Sequence, residues 1–235
     1  MEFLAVEGKN RDYIRTRRAY ILKYLKGTKS FRVLIEKLRQ LGFQGDEKII
    51  ETDLEGLNTF GIRINKDGNA VDGRRNRDFE IITAELFKKV YGLQSIHLGG
   101  GRKPDGMVFT NTFGIIIDTK AYGEGYSKNI SQADEMIRYI EDNQRHDTQR
   151  NSTEWWSGFD KSIPQSQFYY LWISSKFIGR FQEQLDYTSS QTNTNGGALN
   201  VVQLLLGADA VLKGNLDANN IPDYISNQEI KFASI

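Results

Sequence analysis

The sequence predicts an α/β (α+β) chain in two parts, a small helical unit with a hairpin over residues 1–73 and a larger mixed domain over residues 74–235. Three observations lead there. Apolar residues recur at helical spacing in three short segments of the first sixty residues, and two strand-like runs around a tight turn follow them. From Asp78 onward, helical and strand-like stretches alternate. The chain has 235 residues, 39% hydrophobic and 26% charged, enough for one large domain or a small one beside a medium one.

The first helix is expected over Tyr13 to Leu25, with Tyr13, Ile14, Ala19, Tyr20, Ile21 and Leu25 at roughly helical spacing. Ser30 opens a second, carrying Phe31, Val33, Leu34, Ile35, Leu38 and Leu41 and closed by Gly42. A third starts near Gly45 and runs through Ile49, Ile50, Leu54 and Leu57. Then Lys66-Asp67-Gly68 separates Gly61–Asn65 from Asn69–Val71, an Asp-Gly turn of the hairpin kind. Three helices and a hairpin are the layout of a winged helix, which serves either as a DNA-docking or as a protein–protein module.

Asp72-Gly73-Arg74-Arg75-Asn76-Arg77 reads as a short basic linker. Beyond it, helices are expected at Asp78 to Tyr91, Ser131 to Asn143, Lys176 to Thr188 and Ala198 to Gly207. Strands are expected at Gly106 to Phe109, Gly114 to Lys120 and Phe168 to Ser174.

Composition narrows the chemistry. There is no cysteine, which removes disulfides, thiol nucleophiles and Cys-ligated zinc, and which suits a reducing cytoplasm. Only His97 and His146 are present, so catalysis must draw mainly on Asp, Glu, Lys, Ser or Tyr. The longest apolar runs, such as Val201 to Leu206, fall far short of the roughly 20 residues that span a bilayer, so no membrane partner is expected. The start of the chain reads as lacking a signal peptide. The net charge is only +1, but cations cluster at Arg15, Arg17 and Arg18, at Arg74, Arg75 and Arg77, and at Arg102 and Lys103. Such clusters fit a polyanionic partner or solvated helix faces equally well.

The run Phe113-Gly114-Ile115-Ile116-Ile117-Asp118-Thr119-Lys120 drives an acid and a base into the end of an apolar strand. Pro104-Asp105-Gly106 precedes another strand, with Asp105 thirteen residues before Asp118. Side chains alternate along a strand, so Asp118 and Lys120 share a face and Thr119 points the other way. If the two strands form a hairpin, Asp105, Asp118 and Lys120 meet. Two carboxylates make a hard oxygen site suited to Mg²⁺, and the lysine would balance charge and orient or deprotonate a water. That is phosphodiester hydrolysis without histidine or cysteine. Spacing alone fits an ion pair at a strand end as well. The isoleucines favour function, because burying charges purely for stability is rarely a net gain.

Longer segments carry a resemblance. His97 to Gly106 (His-Leu-Gly-Gly-Gly-Arg-Lys-Pro-Asp-Gly), Ile117 to Tyr122 and Gln132 to Met136 closely resemble the cleavage domain of the FokI-type type IIS restriction endonucleases. Lys89 to Gly92, Glu154-Trp155-Trp156 and Asn195-Gly196 match as well. Asp12 to Ala19 and Leu41-Gly42-Phe43 are similar to the third recognition subdomain of that family, a winged helix. The resemblance implies a PD-(D/E)XK nuclease over residues 74–235, with a central mixed β-sheet flanked by helices. It implies Asp105, Asp118 and Lys120 as the catalytic triad, with Asp105 and Asp118 holding Mg²⁺ or another divalent cation, and double-stranded DNA as substrate. It also implies a transient homodimer of cleavage domains through Asp134 and Arg138. Those two otherwise read as an intrahelical i,i+4 pair worth about 0.2–0.5 kcal/mol, off the apolar stripe of Ala133, Met136, Ile137 and Ile140.

Glu80 and Glu85 match acidic positions of the family and would support metal or water, or else lie on a solvated face. Arg102 and Lys103 would contact phosphate or solvent. Arg15, Arg17 and Arg18 would face DNA, although in the family this subdomain largely contacts protein and holds the nuclease in check. His97 reads as structural, and Trp155 and Trp156 as core or interface. The first two recognition subdomains of the family have no counterpart here, so the chain reads as a fragment, as a subunit that borrows specificity from a separate recognition subunit, or as a shortened relative. The family's long linker is also missing. The expectation is a Mg²⁺-dependent, bacterial, cytoplasmic DNA endonuclease. The alternative is a catalytically silent DNA- or partner-binding module, against which the retention of all three catalytic residues argues.

Overall fold

A computed structural model describes residues 73–120, 122, 125–174 and 176–232. The expected winged helix, with Arg15, Arg17 and Arg18, lies outside the described residues. Among the described residues the elements run α1 (Gly73–Lys89), β1 (Gln94–His97), β2 (Gly106–Phe109), β3 (Gly114–Lys120), α2 (Ile130–Arg145), β4 (Phe168–Ser174), α3 (Phe181–Thr192), β5 (Gly196–Asn200), α4 (Val201–Lys213) and β6 (Gln228–Glu229).

The strands form one six-stranded sheet in sequence order. Its first three strands are an antiparallel meander, and β3 through β6 run parallel. The mixed sheet is therefore the expected one. Parallel pairs need a crossover, and α2, α3 and α4 supply helical connections. Two apolar layers cover the sheet. Phe79, Leu86 and Phe87 of α1, Val90 just beyond it, and Leu204 and Ala208 of α4 pack with Val108, Ile115, Ile117, Leu171 and Ile173 on one face. Met136, Tyr139 and Ile140 of α2, Phe181 and Leu185 of α3, Trp155 and Trp156 pack with Met107, Ile116, Tyr170 and Trp172 on the other. Neighbours on β3 thus split between layers, as the alternation of a strand requires. Trp155 and Trp156 are core residues.

The three expected strands have the expected bounds. Four expectations need correcting. The basic stretch read as a linker is already helical, because α1 begins at Gly73 and stops at Lys89 rather than Tyr91. The helix expected from Lys176 starts at Phe181, since Phe177 pairs with Tyr126 as a parallel bridge and Gly179 turns the chain at φ +61°. The helix expected from Ala198 is a strand up to Asn200, whose side chain caps the next helix by accepting from the Gln203 N–H. A Cβ on Gly196 would sit 2.0 Å from the Tyr170 ring, so this strand is admitted by a glycine and fails propensity-based reading. On α2, Tyr139 rather than Ile137 completes the buried stripe. No helix among the described residues is long and apolar enough to cross a membrane.

Candidate active site

The meander brings the two acidic motifs together. The register pairs Gly106 with Ile117, which sets Asp105 and Asp118 side by side at the open end of the hairpin. The Leu98 and Gly99 N–H groups donate to the Asp105 carbonyl at 2.9 and 3.3 Å, closing the loop of residues 99–103 at its base. Asp118 is 4% exposed and Lys120 9%, at the end of a strand that is otherwise apolar.

Lys120 Nζ lies 2.9 Å from Asp118 Oδ1 and 2.7 Å from Oδ2. Only the Oδ1 contact has hydrogen-bond geometry, so Oδ2 is a buried oxygen without a proper donor. Lys120 Nζ also donates to Gln132 Oε1 of α2. Asn129 caps that helix and accepts from the Gln132 N–H, which fixes where the glutamine begins. The hydroxyl and N–H of Thr119 donate to Asp105 Oδ2 at 2.7 and 2.6 Å. Asp105 thus leans across to the neighbouring strand and is held there by two donors.

The charges of this cluster do not balance. Burial, followed by the nearby Glu80 carboxylate, raises the Asp105 pKa above the usual carboxylate range. Burial raises that of Asp118 as well, with Asp105 adding to it and Lys120 opposing. Burial works against the Lys120 charge, but the Asp118 carboxylate outweighs it and holds the ammonium protonated. Two carboxylates with one lysine leave a demand for positive charge.

The cluster opens into a cleft of about 410 Å³, with Glu80, Arg102, Lys103, Glu135 and Tyr139 also on its walls. Its chemistry fits a divalent cation. Asp105 and Asp118 are hard oxygen donors, and Asp118 Oδ2 lacks a donor. Among the described residues no three His, Asp or Glu side chains converge as a cage. Water and substrate oxygens would complete the sphere, as Mg²⁺ prefers.

The other expected residues divide. Glu80 lines the cleft and bonds His97 Nε2 at 2.9 Å. Glu85 does not line it and pairs with Lys89 at 2.8 Å. Arg102 and Lys103 stand on the cleft wall. Asp134 and Arg138 are exposed on α2. Arg138 pairs with Glu135 at 3.2 Å and Asp134 accepts from the Tyr187 hydroxyl at 3.3 Å, so the i,i+4 pair between them is not made. Sequence reasoning missed Thr119, Gln132, Glu135 and Tyr139. The last three were signalled by their spacing, which puts them along one side of α2.

Comparison with known proteins adds lineage to this geometry. The family described as "FokI, cleavage domain" matches residues 64–231, and "FokI, D3 domain" matches residues 4–69. The type II restriction enzyme FokI of Planomicrobium okeanokoites is 32% identical over 288 aligned positions, covering 98% of this chain and 49% of FokI. That alignment is longer than the chain, so FokI carries residues here absent. The type II restriction enzyme StsI of Streptococcus sanguinis is 32% identical over 160 positions, covering 67% of this chain and 26% of StsI. The chain therefore spans about half the length of one relative and about a quarter of the other. Solved structures of FokI, one of them bound to DNA, superpose with a TM-score of 0.69 at 32% identity, over 87% of this chain and 34% of theirs.

Proposed function

The chain belongs to the FokI cleavage-domain family, and from that premise we propose that it is a divalent-metal-dependent endonuclease that hydrolyses phosphodiester bonds of double-stranded DNA. The observation that carries this reading is the pair of carboxylates, Asp118 buried against Lys120 and Asp105 half-buried beside it, at the mouth of an open polar cleft.

Asp105 and Asp118 would hold the metal, Mg²⁺ or a similar cation. Bound there, it would polarise the scissile phosphate and stabilise the charge that develops on it. Thr119 keeps Asp105 Oδ2 in place through two donors. Lys120, held between Asp118 and Gln132, presents a charged ammonium that offsets the carboxylates and orients the attacking water. Arg102 and Lys103 on the cleft wall meet backbone phosphates, with Glu80 as a further acid near the metal. Asp134 and Arg138, exposed on α2, form the surface on which two cleavage domains pair transiently to cut both strands. Arg15, Arg17 and Arg18 are candidates for DNA contact. Site-specific, type IIS-like restriction in a bacterial cytoplasm is the biological setting, with a separate recognition subunit as a candidate partner.

The test is cleavage of supercoiled plasmid in Mg²⁺. The wild type should nick and linearise it, and Asp118→Ala combined with Lys120→Ala should abolish both without loss of fold by circular dichroism. Unchanged cutting by the double variant, or an inert wild type across divalent metals, would refute the assignment. The second result would point to a silent DNA-binding module.

A further inference from the structure

We propose that Asn151 is a positioning residue: it pins the glycine-rich loop of residues 99–103 so that Arg102 and Lys103 meet the substrate phosphate. The proposal rests on the nuclease reading above.

Asn151 is 3% exposed and lies outside the cleft wall, yet its amide is fully committed. Nδ2 donates to the Arg102 carbonyl and to Asp142 Oδ2, each at 2.8 Å. Oδ1 accepts from the N–H and hydroxyl of Thr153 at 3.1 and 2.7 Å. Two donors and two lone pairs are all the amide has, and all four are used. An aspartate at this position lacks the donors, and a glutamine is one methylene longer. Asp142 is itself 2% exposed and lies on α2 within ion-pair distance of Arg150 Nε, at 3.3 Å, so the amide hangs from the C-terminal half of that helix.

What Asn151 holds is a chain segment under constraint. The loop bends through left-handed backbone at Gly99 (φ 49°), Gly100 (φ 92°) and Arg102 (φ 63°). The two glycines adopt this region freely, but Arg102 does not. Its carbonyl is the one that receives the Asn151 bond. The other end of the loop is tied to the backbone of Asp105. The loop is thus fastened at one end to a metal-binding residue and at the other to a buried amide, while the Arg102 side chain stands exposed on the cleft wall. Releasing the amide frees Arg102 to leave the left-handed region and carries its guanidinium and Lys103 away from the phosphate track.

The experiment compares wild type, Asn151→Ala, Arg102→Gly and the double variant in steady-state cleavage of plasmid DNA at several salt concentrations, with thermal melting in parallel. Loss of one bond of this kind predicts about a fivefold rise in KM for Asn151→Ala. The salt slope of DNA binding should flatten by about 1, with kcat near that of wild type. In the Arg102→Gly background the strained residue and its charge are already gone. There Asn151→Ala should change KM and salt slope no further, although it lowers the melting temperature in both backgrounds. A merely structural role would lower melting and leave KM and slope alone. Should Asn151→Ala not fold, Asn151→Leu keeps the side-chain volume, removes the donors without setting a second carboxylate beside Asp142, and should give the same shift. Wild-type KM and slope in the Asn151 variant, with an active wild type, overturn the positioning role alone. So does a shift that persists undiminished beside Arg102→Gly. An inert wild type overturns this role and the nuclease reading together.

Discussion

Thr119→Val isolates the hydroxyl that holds Asp105. The substitution keeps the branched shape and leaves the backbone N–H donating at 2.6 Å, but removes the donor at 2.7 Å. A hydrogen bond to a charged acceptor contributes about 1.5–3 kcal/mol. Asp105 is half-buried at the cleft, so water can replace part of the lost bond and the lower end applies. About 1.4 kcal/mol is a factor of ten in an equilibrium constant. The Mg²⁺ concentration for half-maximal plasmid cleavage should therefore rise about tenfold, the scale expected when a group behind a metal ligand is removed. Because the lost bond favoured the charged carboxylate, the acidic limb of the cleavage profile should also move to higher pH. The assay is nicking at fixed DNA and enzyme across a Mg²⁺ series, repeated at several pH values. An unchanged Mg²⁺ requirement with an unmoved acidic limb would refute the role given to this hydroxyl, and with it the view that Asp105 is a placed ligand.

Further expectations follow from the same geometry. A carboxylic acid whose pKa is higher in the folded than in the unfolded state binds protons more tightly when folded. The metal-free protein should therefore lose stability as pH rises from near 3.8 to about 7, the window in which Asp118 titrates. Lys120 stays charged throughout it. Asp105→Asn removes one of the crowded carboxylates and should raise the melting temperature of the metal-free protein more at pH 8 than at pH 5, while abolishing cleavage; equal melting at both pH values would contradict it. Gly196→Ala sets a methyl 2.0 Å from the Tyr170 ring and should cost about 1–3 kcal/mol, some 2–4 °C in melting per kcal/mol for a chain of this size. Asp134→Ala should reduce linearisation of plasmid while sparing nicking, and the dependence of linearisation on protein concentration should be steep in the wild type; a linear dependence would speak against paired cleavage domains.

The motifs of the candidate site are legible because their signals are local. Ile115 to Ile117 announce a buried strand, and the two-residue period alone puts Asp118 beside Lys120, where the ion pair is found. What the period could not supply was the partner of Asp105. Asp105 immediately precedes the strand beside Asp118, yet its carboxylate bonds to Thr119, the residue that alternation turns away. Strand ends release side chains from the pleat, and the hydroxyl of Thr119 exploits that freedom. Only the second half of β5, from Ala198, falls within the expected helix, and Gly196 and Gly197 carry no strand propensity; what makes the segment a strand is room beside Tyr170 and the parallel register with β4. The intrahelical contact that spacing allows between Asp134 and Arg138 is not made. Sequence spacing allows i,i+3 as readily as i,i+4, and Glu135 was the nearer acid for Arg138. Asn151 was invisible, since its partners Arg102, Asp142 and Thr153 come from three segments that only the fold brings together.

The central claim is that Asp105 and Asp118 together hold the cation that makes cleavage possible. Calorimetric titration of Mn²⁺ into the wild type and into Asp105→Asn measures it directly. Binding to the wild type should be saturable and should be lost in the variant, with an affinity that rises with pH as the two raised carboxylates ionise. Equal binding by both proteins, or none by an active wild type, would contradict it.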